Sequence, residues 1–247
     1  MNTVWTCQPD ESIDDLVLGG LKLIQAREGY RFSLDAVLLA HFVNLKGVNQ
    51  AIDLGTGNGV IPLLLAHRSP TLCLTGVELQ ANMAARARRS VAYNGLGQRI
   101  EIMEGDIKRI KEFISPGFAE LVLSNPPFWK KGEGLLNDNP EEAIARHELE
   151  IELPEILAAA AHILAVHGRL AIIHRAERMV EIMENLADYK LAPRRLRLVH
   201  PFADRAANLL LLEAEKNAKG KLTILPPLII YQKPGIYSEE IKKIYEK

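Results

Sequence analysis

Residues 124–129 read Ser-Asn-Pro-Pro-Phe-Trp and follow directly on a short apolar run, Ala119 to Leu123. Proline gives no N–H to a β-ladder and fixes its own φ, so the run must end there in a stiff turn. Such a turn holds the Asn125 amide beside free carbonyls and the aromatic face of Phe128. Those parts suit a planar group that carries an amine. The Asn125 side-chain oxygen can accept one N–H, the Pro126 carbonyl the other, and Phe128 can stack on the ring. Seventy residues before Asn125 begins a second signal, Gly55-Thr56-Gly57-Asn58-Gly59, preceded by Asp53-Leu54 and followed by a helical pattern. Alternate glycines let the backbone turn sharply and approach a ligand beside the positive end of a helix. A dinucleotide fingerprint would place its third glycine at position 60, where Val60 stands, which argues against a pyrophosphate ligand. Glu78, 19 residues after Gly59, closes the next apolar run and can accept both hydroxyls of a ribose. Asp106 closes the run after that and can accept from an adenine amino group. Any one of these acids reads as a helix cap or a loop residue. Acids ending three successive strands read instead as one crevice.

The elements that must hold these groups follow from alternation. Short apolar runs at Ala51–Leu54, Leu72–Val77, Ile100–Met103, Leu121–Leu123 and Leu170–Ile173 read as buried parallel strands. Helical patterns near 59–67, 80–93, 107–113 and 152–165 separate them. The expected fold is therefore α/β: a doubly wound, mostly parallel, seven-stranded sheet. Glu177 to Leu186 reads as one more helix. Leu196–Val199 and Asn208–Ala214 leave no room for a helix between them, so they predict an antiparallel final strand at the sheet edge. At the other end, residues 15–25 read as a hairpin around Gly19-Gly20, with Leu16, Leu18, Leu21 and Leu23 on its apolar positions. Ser33 caps a helix from Leu34 to Val43. One domain is expected over 1–247, with an N-terminal extension (1–45), a catalytic core (46–215) and a surface extension (216–247). Residues 129–147 form a long polar insertion just after the Pro-Pro turn, where loops of that length usually serve function.

At this point the residues resemble a family. Asp53 to Gly59, Glu78, Asp106 and Asn125-Pro126-Pro127-Phe128 are similar to the motifs of class I S-adenosylmethionine-dependent methyltransferases that modify planar amino nitrogens. The resemblance implies a Rossmann-like fold and S-adenosyl-L-methionine as cofactor. Around that cofactor it places Asp53, Gly55, Thr56, Gly57, Gly59, Glu78, Leu79, Asp106, Ile107 and Asn125. Around the acceptor it places Asn125, Pro126, Pro127 and Phe128 as the catalytic set. Arg31-Phe32-Ser33-Leu34-Asp35-Ala36, Ala145-Arg146-His147-Glu148 and the tail from His200-Pro201-Phe202 to Pro226-Pro227-Leu228-Ile229-Ile230-Tyr231 are similar to the bacterial tRNA1(Val) adenine-N6 methyltransferase group. That likeness spans nearly the whole chain. It implies transfer of a methyl to adenine N6 in the anticodon loop of a tRNA. Phe128-Trp129 departs from the tyrosine that many relatives carry; the stacking ring survives without its hydroxyl.

Composition bounds the alternatives. The chain has 247 residues, a formal net charge of −1 and seven scattered histidines, so no global field draws it to nucleic acid or to a membrane. RNA contact must then be local. Lys130, Lys131, Arg146 and His147 flank the acceptor turn, and Arg194, Arg195 and Arg197, near His200 and Arg205, form a second candidate patch. Arg86, Arg88 and Arg89 read as a solvated helix face. Cys7 and Cys73 are unpaired in spacing, which predicts neither a disulfide framework nor a metal cluster. No secretory segment or membrane span is visible, so a cytoplasmic protein is expected. Within the same chemistry, N5-methylation of a protein glutamine or methylation of another RNA or DNA adenine competes. An oxidoreductase lacks its third glycine, and a non-catalytic RNA-binding module has no use for Asn125 together with Glu78 and Asp106.

Overall fold

The computed structural model describes residues 7–16, 18–28, 31–126 and 151–246. The chain opens with β1 (Glu11–Asp15) and β2 (Lys22–Ala26), then α1 (Leu34–Phe42), β3 (Gln50–Leu54), α2 (Val60–Arg68), β4 (Cys73–Glu78), α3 (Ala81–Tyr93) and β5 (Ile100–Glu104). A 3-10 turn (Ile107–Glu112) leads to β6 (Ala119–Ser124), followed by α4 (Leu153–Ile163), β7 (Leu164–Arg175), α5 (Met179–Asp188), β8 (Leu191–His200) and β9 (Leu209–Lys216). The tail holds β10 (Thr223–Ile224), β11 (Leu228–Ile229), β12 (Tyr231–Lys233), β13 (Ile236–Tyr237) and α6 (Glu239–Tyr245).

The central sheet runs β10-β8-β9-β7-β6-β3-β4-β5, with β11 also paired to β8. Pairings among β3 to β7 are all parallel, and β9 is antiparallel to both β7 and β8. The expected doubly wound sheet with its antiparallel strand is present, and two two-residue strands extend it at the β8 edge. Strand alternation divides the core into two layers. Ala51, Leu121, Leu123, Ala171 and Ile173 face α1, α2 and α3, while Ile52, Leu54, Val122, Leu170 and Ile172 face α4 and α5. Both faces are covered, which is why these strands are apolar at nearly every position rather than at every second one.

Three expectations are corrected. The 107–113 segment is a 3-10 turn kinked at Arg109, not an α-helix, because only Ile107 and Ile110 reach the core. Leu16, Leu18 and Leu21 lie in the hairpin connection rather than in its arms, yet all are buried beside α2. The tail beyond residue 215 is not a surface extension. Leu228, Ile230, Ile241 and Ile244 are buried in the same layer as α1 and α2, so the tail covers the sheet edge that β8 would otherwise expose.

The hairpin is fastened to α3. Ile24 N–H donates to the Ser90 hydroxyl at 2.9 Å, and the Asn94 amide brackets Lys22, accepting its N–H at 2.9 Å and donating to its carbonyl at 2.7 Å. Glu11, 2% exposed, meets the Arg89 guanidinium at 2.5 and 2.6 Å and Arg86 at 3.4 Å. Arg86 and Arg89 are thus internal clamps rather than a solvated face, and Arg88 donates to the Ile102 carbonyl at 3.0 Å.

Candidate active site

Parallel strands deliver their carboxyl ends to one edge, and strand order fixes which loops are neighbours there. Along β6-β3-β4-β5 those ends present Asn125, the glycine turn, Glu78 and Asp106 in that sequence. The joint between the first two is closed by Ser124, whose buried hydroxyl donates to the Leu54 carbonyl at 3.0 Å. This bond sets Asn125 directly beside the turn.

The turn itself is built on left-handed backbone. Gly55, Gly57 and Gly59 have φ of 74°, 58° and 86°, conformations that a side chain at these positions would strain. Gly55 and Thr56 N–H groups both donate to the Val77 carbonyl, at 2.9 and 3.0 Å, which docks the turn against the end of β4. A Cβ on Gly59 would lie 3.3 Å from Ala87 Cβ, so α3 packs closely behind it. Glu78 is 6% exposed and organises the region with both oxygens: one accepts the Gly57 N–H at 2.8 Å, the other the Gln80 N–H at 2.9 Å. Asp106 is half-buried, and one of its oxygens caps the 3-10 turn by accepting the Lys108 N–H at 2.9 Å. Leu79, 39% exposed, stands beside Glu78, while Ile107 is buried.

A narrow pocket opens on this edge, lined by Phe32, Ala36, Gly55, Thr56, Gly57, Asn58, Val60, Ile61 and Asn125. Unmet hydrogen-bonding capacity gathers around it. Among the described residues, buried side-chain atoms without a partner include both oxygens of Asp53, the Thr56 hydroxyl, both amide atoms of Asn58 and the Asn125 oxygen. Buried polar groups are nearly always paired, so a cluster of orphans marks a place built for a polar ligand. Burial pushes the Asp53 carboxyl up to about 7, with the Glu78 charge adding to the shift. The nearby Thr56 hydroxyl opposes it without closing a hydrogen bond.

The residues fit an amino-acid-bearing nucleoside such as S-adenosylmethionine. The orphaned donors and acceptors suit a zwitterionic end, and the Glu78 carboxylate is bonded to the same turn. Asn58 and Phe32, like the apolar Ala36, Val60 and Ile61, line the pocket without a role expected from the sequence. Asn58 was hidden by its place between two glycines, and Phe32 stood in a recognised run with no chemistry attached.

Other expected site residues fall elsewhere. Pro127, Phe128, Lys130, Lys131, Arg146 and His147, with the 129–147 insertion, lie outside the described residues. Arg194 reaches Glu215 at 3.2 Å and Arg197 reaches Glu240 at 2.8 Å. Arg195 pairs with Glu213 at 3.2 Å and lies over the Phe42 ring at 4.7 Å. All three are engaged within the fold. Among the described residues no group of His, Cys, Asp and Glu could hold a metal ion, and no helix is long and apolar enough to cross a membrane.

Strand order, the glycine turn and the acid after the second parallel strand define a Rossmann-like methyltransferase. Residues 34–189 match the family model described as methyltransferase small domain, and the chain belongs to that family as an S-adenosylmethionine-dependent enzyme. A protein of Porphyromonas gingivalis (strain ATCC BAA-308 / W83) is 30% identical over 224 residues, 87% of each chain. One of Aeromonas salmonicida (strain A449) is 34% identical over 158 residues, 64% of each. Both carry the name tRNA1(Val) (adenine(37)-N6)-methyltransferase. Among solved structures, a predicted O-methyltransferase from Agrobacterium tumefaciens superposes with a TM-score of 0.69 at 24% identity, over 86% of this chain and 95% of that one. A geranyl diphosphate methyltransferase in complex with SAM gives 0.55 at 13% identity, over 73% and 84%. These two likenesses concern the fold.

Proposed function

We propose that the chain transfers a methyl group from S-adenosylmethionine to the exocyclic N6 of adenine 37 in a tRNA anticodon loop. The observation that carries this reading is Asn125: its side-chain oxygen is buried, unpaired and set beside the glycine turn. The names of the relatives supply the base and the tRNA. Residues 46–215 then act as the catalytic core, with 1–45 and 216–247 as extensions packed on it, and the enzyme works in the cytoplasm, where tRNA is modified.

The cofactor, when bound, supplies an electrophilic methyl on a sulfonium centre. In this reading Glu78 accepts from ribose hydroxyls and Asp106 from the adenine amine of the cofactor, between Leu79 and Ile107. Asp53, Thr56 and Asn58 would meet its amino-acid end beside the left-handed backbone of Gly55, Gly57 and Gly59. An adenine amine is a weak nucleophile because its lone pair is delocalised into the ring. Asn125 Oδ1 and the Pro126 carbonyl each accept one of its hydrogens, which orients the nitrogen and favours its pyramidal form. Alignment of this kind is worth on the order of 7–11 kcal/mol in well-oriented systems. Phe128 stacks on the extruded base, a contact worth about 1–3 kcal/mol. No strong general base is required, since the methylated amine is acidic and releases its proton to water. Lys130, Lys131, Arg146 and His147, with Arg194, Arg195 and Arg197 where they can exchange partners, contact phosphates.

The test is incubation with labelled S-adenosylmethionine and tRNA from a strain lacking the modification, followed by digestion. Label in N6-methyladenosine is expected. Label in glutamine of a protein extract, with none in tRNA, overturns the reading.

A further inference from the structure

Gln25 is a long amide side chain at 1% exposure on the hairpin strand β2, where an apolar residue would serve packing better. Its bonds explain it. Gln25 Nε2 donates to Asp14 Oδ2 at 2.6 Å, and Gln25 Oε1 accepts the Phe32 backbone N–H at 2.8 Å. The same Asp14 oxygen receives the Arg31 guanidinium at 2.7 Å. Two successive residues, Arg31 and Phe32, are therefore tied to one hairpin just before α1 begins. Phe32 lines the pocket together with the glycine turn and Asn125. The hairpin is itself held to α3, the helix that follows Glu78, through Glu11, Ser90 and Asn94. A continuous set of bonded groups thus runs from the helix behind the cofactor turn to the pocket lining at Phe32.

We propose that Gln25 is a positioning residue for the methyl-donor pocket: with Asp14 it fixes the backbone at Phe32, and so the width of the pocket between Phe32 and Asn125. The inference rests on the cofactor reading above. Gln25 touches no ligand. It acts by removing the freedom of the Phe32 wall, so its loss weakens cofactor capture while leaving the Asn125 turn and the transfer step intact. Asp14 supplies the negative end that orients the amide, with its oxygen toward Phe32.

The test uses the full chain, with S-adenosylhomocysteine as calorimetric probe and methyl transfer to tRNA as the second readout. Gln25→Leu removes both bonds and should raise the Kd for the probe about tenfold, the scale of one or two net hydrogen bonds. The KM for S-adenosylmethionine should rise in parallel, with kcat at saturation nearly unchanged. The double variant Asp14→Asn with Gln25→Glu exchanges donor and acceptor between the two side chains while keeping an acceptor for Phe32, and it should restore affinity. Phe32→Ala should match Gln25→Leu, and it carries the test if Gln25→Leu does not fold. A lowered Tm with unchanged Kd in Gln25→Leu, or an unchanged Kd in Phe32→Ala, overturns the proposal. Wild-type protein that fails to bind the probe would instead sink the cofactor reading, and this inference with it.

Discussion

The Asn125 side-chain oxygen and the Asp53 carboxyl are both buried with unmet hydrogen-bonding capacity, but the two residues answer substitution in different ways. In the proposed reaction Asn125 faces the acceptor. Its replacement by Ala removes one of two acceptors on the reacting amine, and loss of a single preorganised group of this kind costs about 100-fold or more in kcat. Binding of S-adenosylhomocysteine should change little, and a collapse of that binding in calorimetry would mean Asn125 serves the cofactor instead. Asp53 is a matter of linkage. Its folded pKa of about 7 stands above the value near 4 of an unfolded chain. Between those values the folded protein keeps a proton that the unfolded chain has released. Stability of the ligand-free protein therefore falls as pH rises through that window, by up to ~1.4 kcal/mol per unit. Asp53→Asn abolishes the fall. Thermal melts should show the variant above wild type at pH 8 and close to it at pH 4, while its affinity for the cofactor drops. Coincident melting curves at pH 8 would contradict the assignment. The stability gain and the affinity loss would come from one side chain, because the site keeps a charge buried for its ligand.

The elements show why some of this was legible in the sequence and some was not. Strands buried on both faces announce themselves as apolar runs, and acids at their ends mark the edge, so Glu78, Asp106 and Asn125 could be placed on one crevice. Arg86 and Arg89 could not. Their spacing on α3 says only that they share a helix face, and their partner, Glu11, lies more than seventy residues earlier in a strand with no pattern linking it to them. Phe32 failed for the same reason, since its importance comes from a pocket assembled by β3, β6 and α1. The Glu11 clamp carries its own prediction. Arg89 holds the Glu11 carboxyl below its ordinary range, so the clamp is whole above that range and is lost as pH falls through the lowered value. Glu11→Ala leaves two guanidinium groups facing the hairpin without their acid. Breaking one side of a largely buried pair costs about 3 kcal/mol. Chemical denaturation at pH 7 should register that loss, and a smaller one at acid pH once the Glu11 carboxyl is protonated; equal losses at both would show that the side chain acts by packing alone.

At the scale of the whole molecule, charge decides how tRNA would be held in the proposed reaction. The formal net charge is −1, and several of the described arginines are paired with acids of the fold: Arg31 to Asp14 at 2.7 Å, Arg169 to Glu213 at 3.5 Å, Arg178 to Glu181 at 2.6 Å. Arg194, Arg195 and Arg197 join β8 to β9 and to α6 in the same way. These pairs fasten the antiparallel end of the sheet and the tail that covers it, at the expense of a basic surface. Under the proposed function these paired arginines are not what holds the RNA. Affinity must come from a few local cations near the acceptor turn and from extraction and stacking of the target base. Under the proposed function Lys130, Lys131 and Arg146 supply full charges there. Three phosphate contacts release few counterions, so log K for an anticodon stem-loop against log salt should have a slope of about −2, at ~0.7 per contact on single strands. Replacing each of the three by Ala should make the slope shallower by about 0.7. A slope steeper than about −5 that survives all three substitutions would mean that the arginines of β8 give up their acids on binding RNA. In that case Arg197→Ala should weaken binding and loosen α6 together, which titration and thermal melting of the same variant would separate.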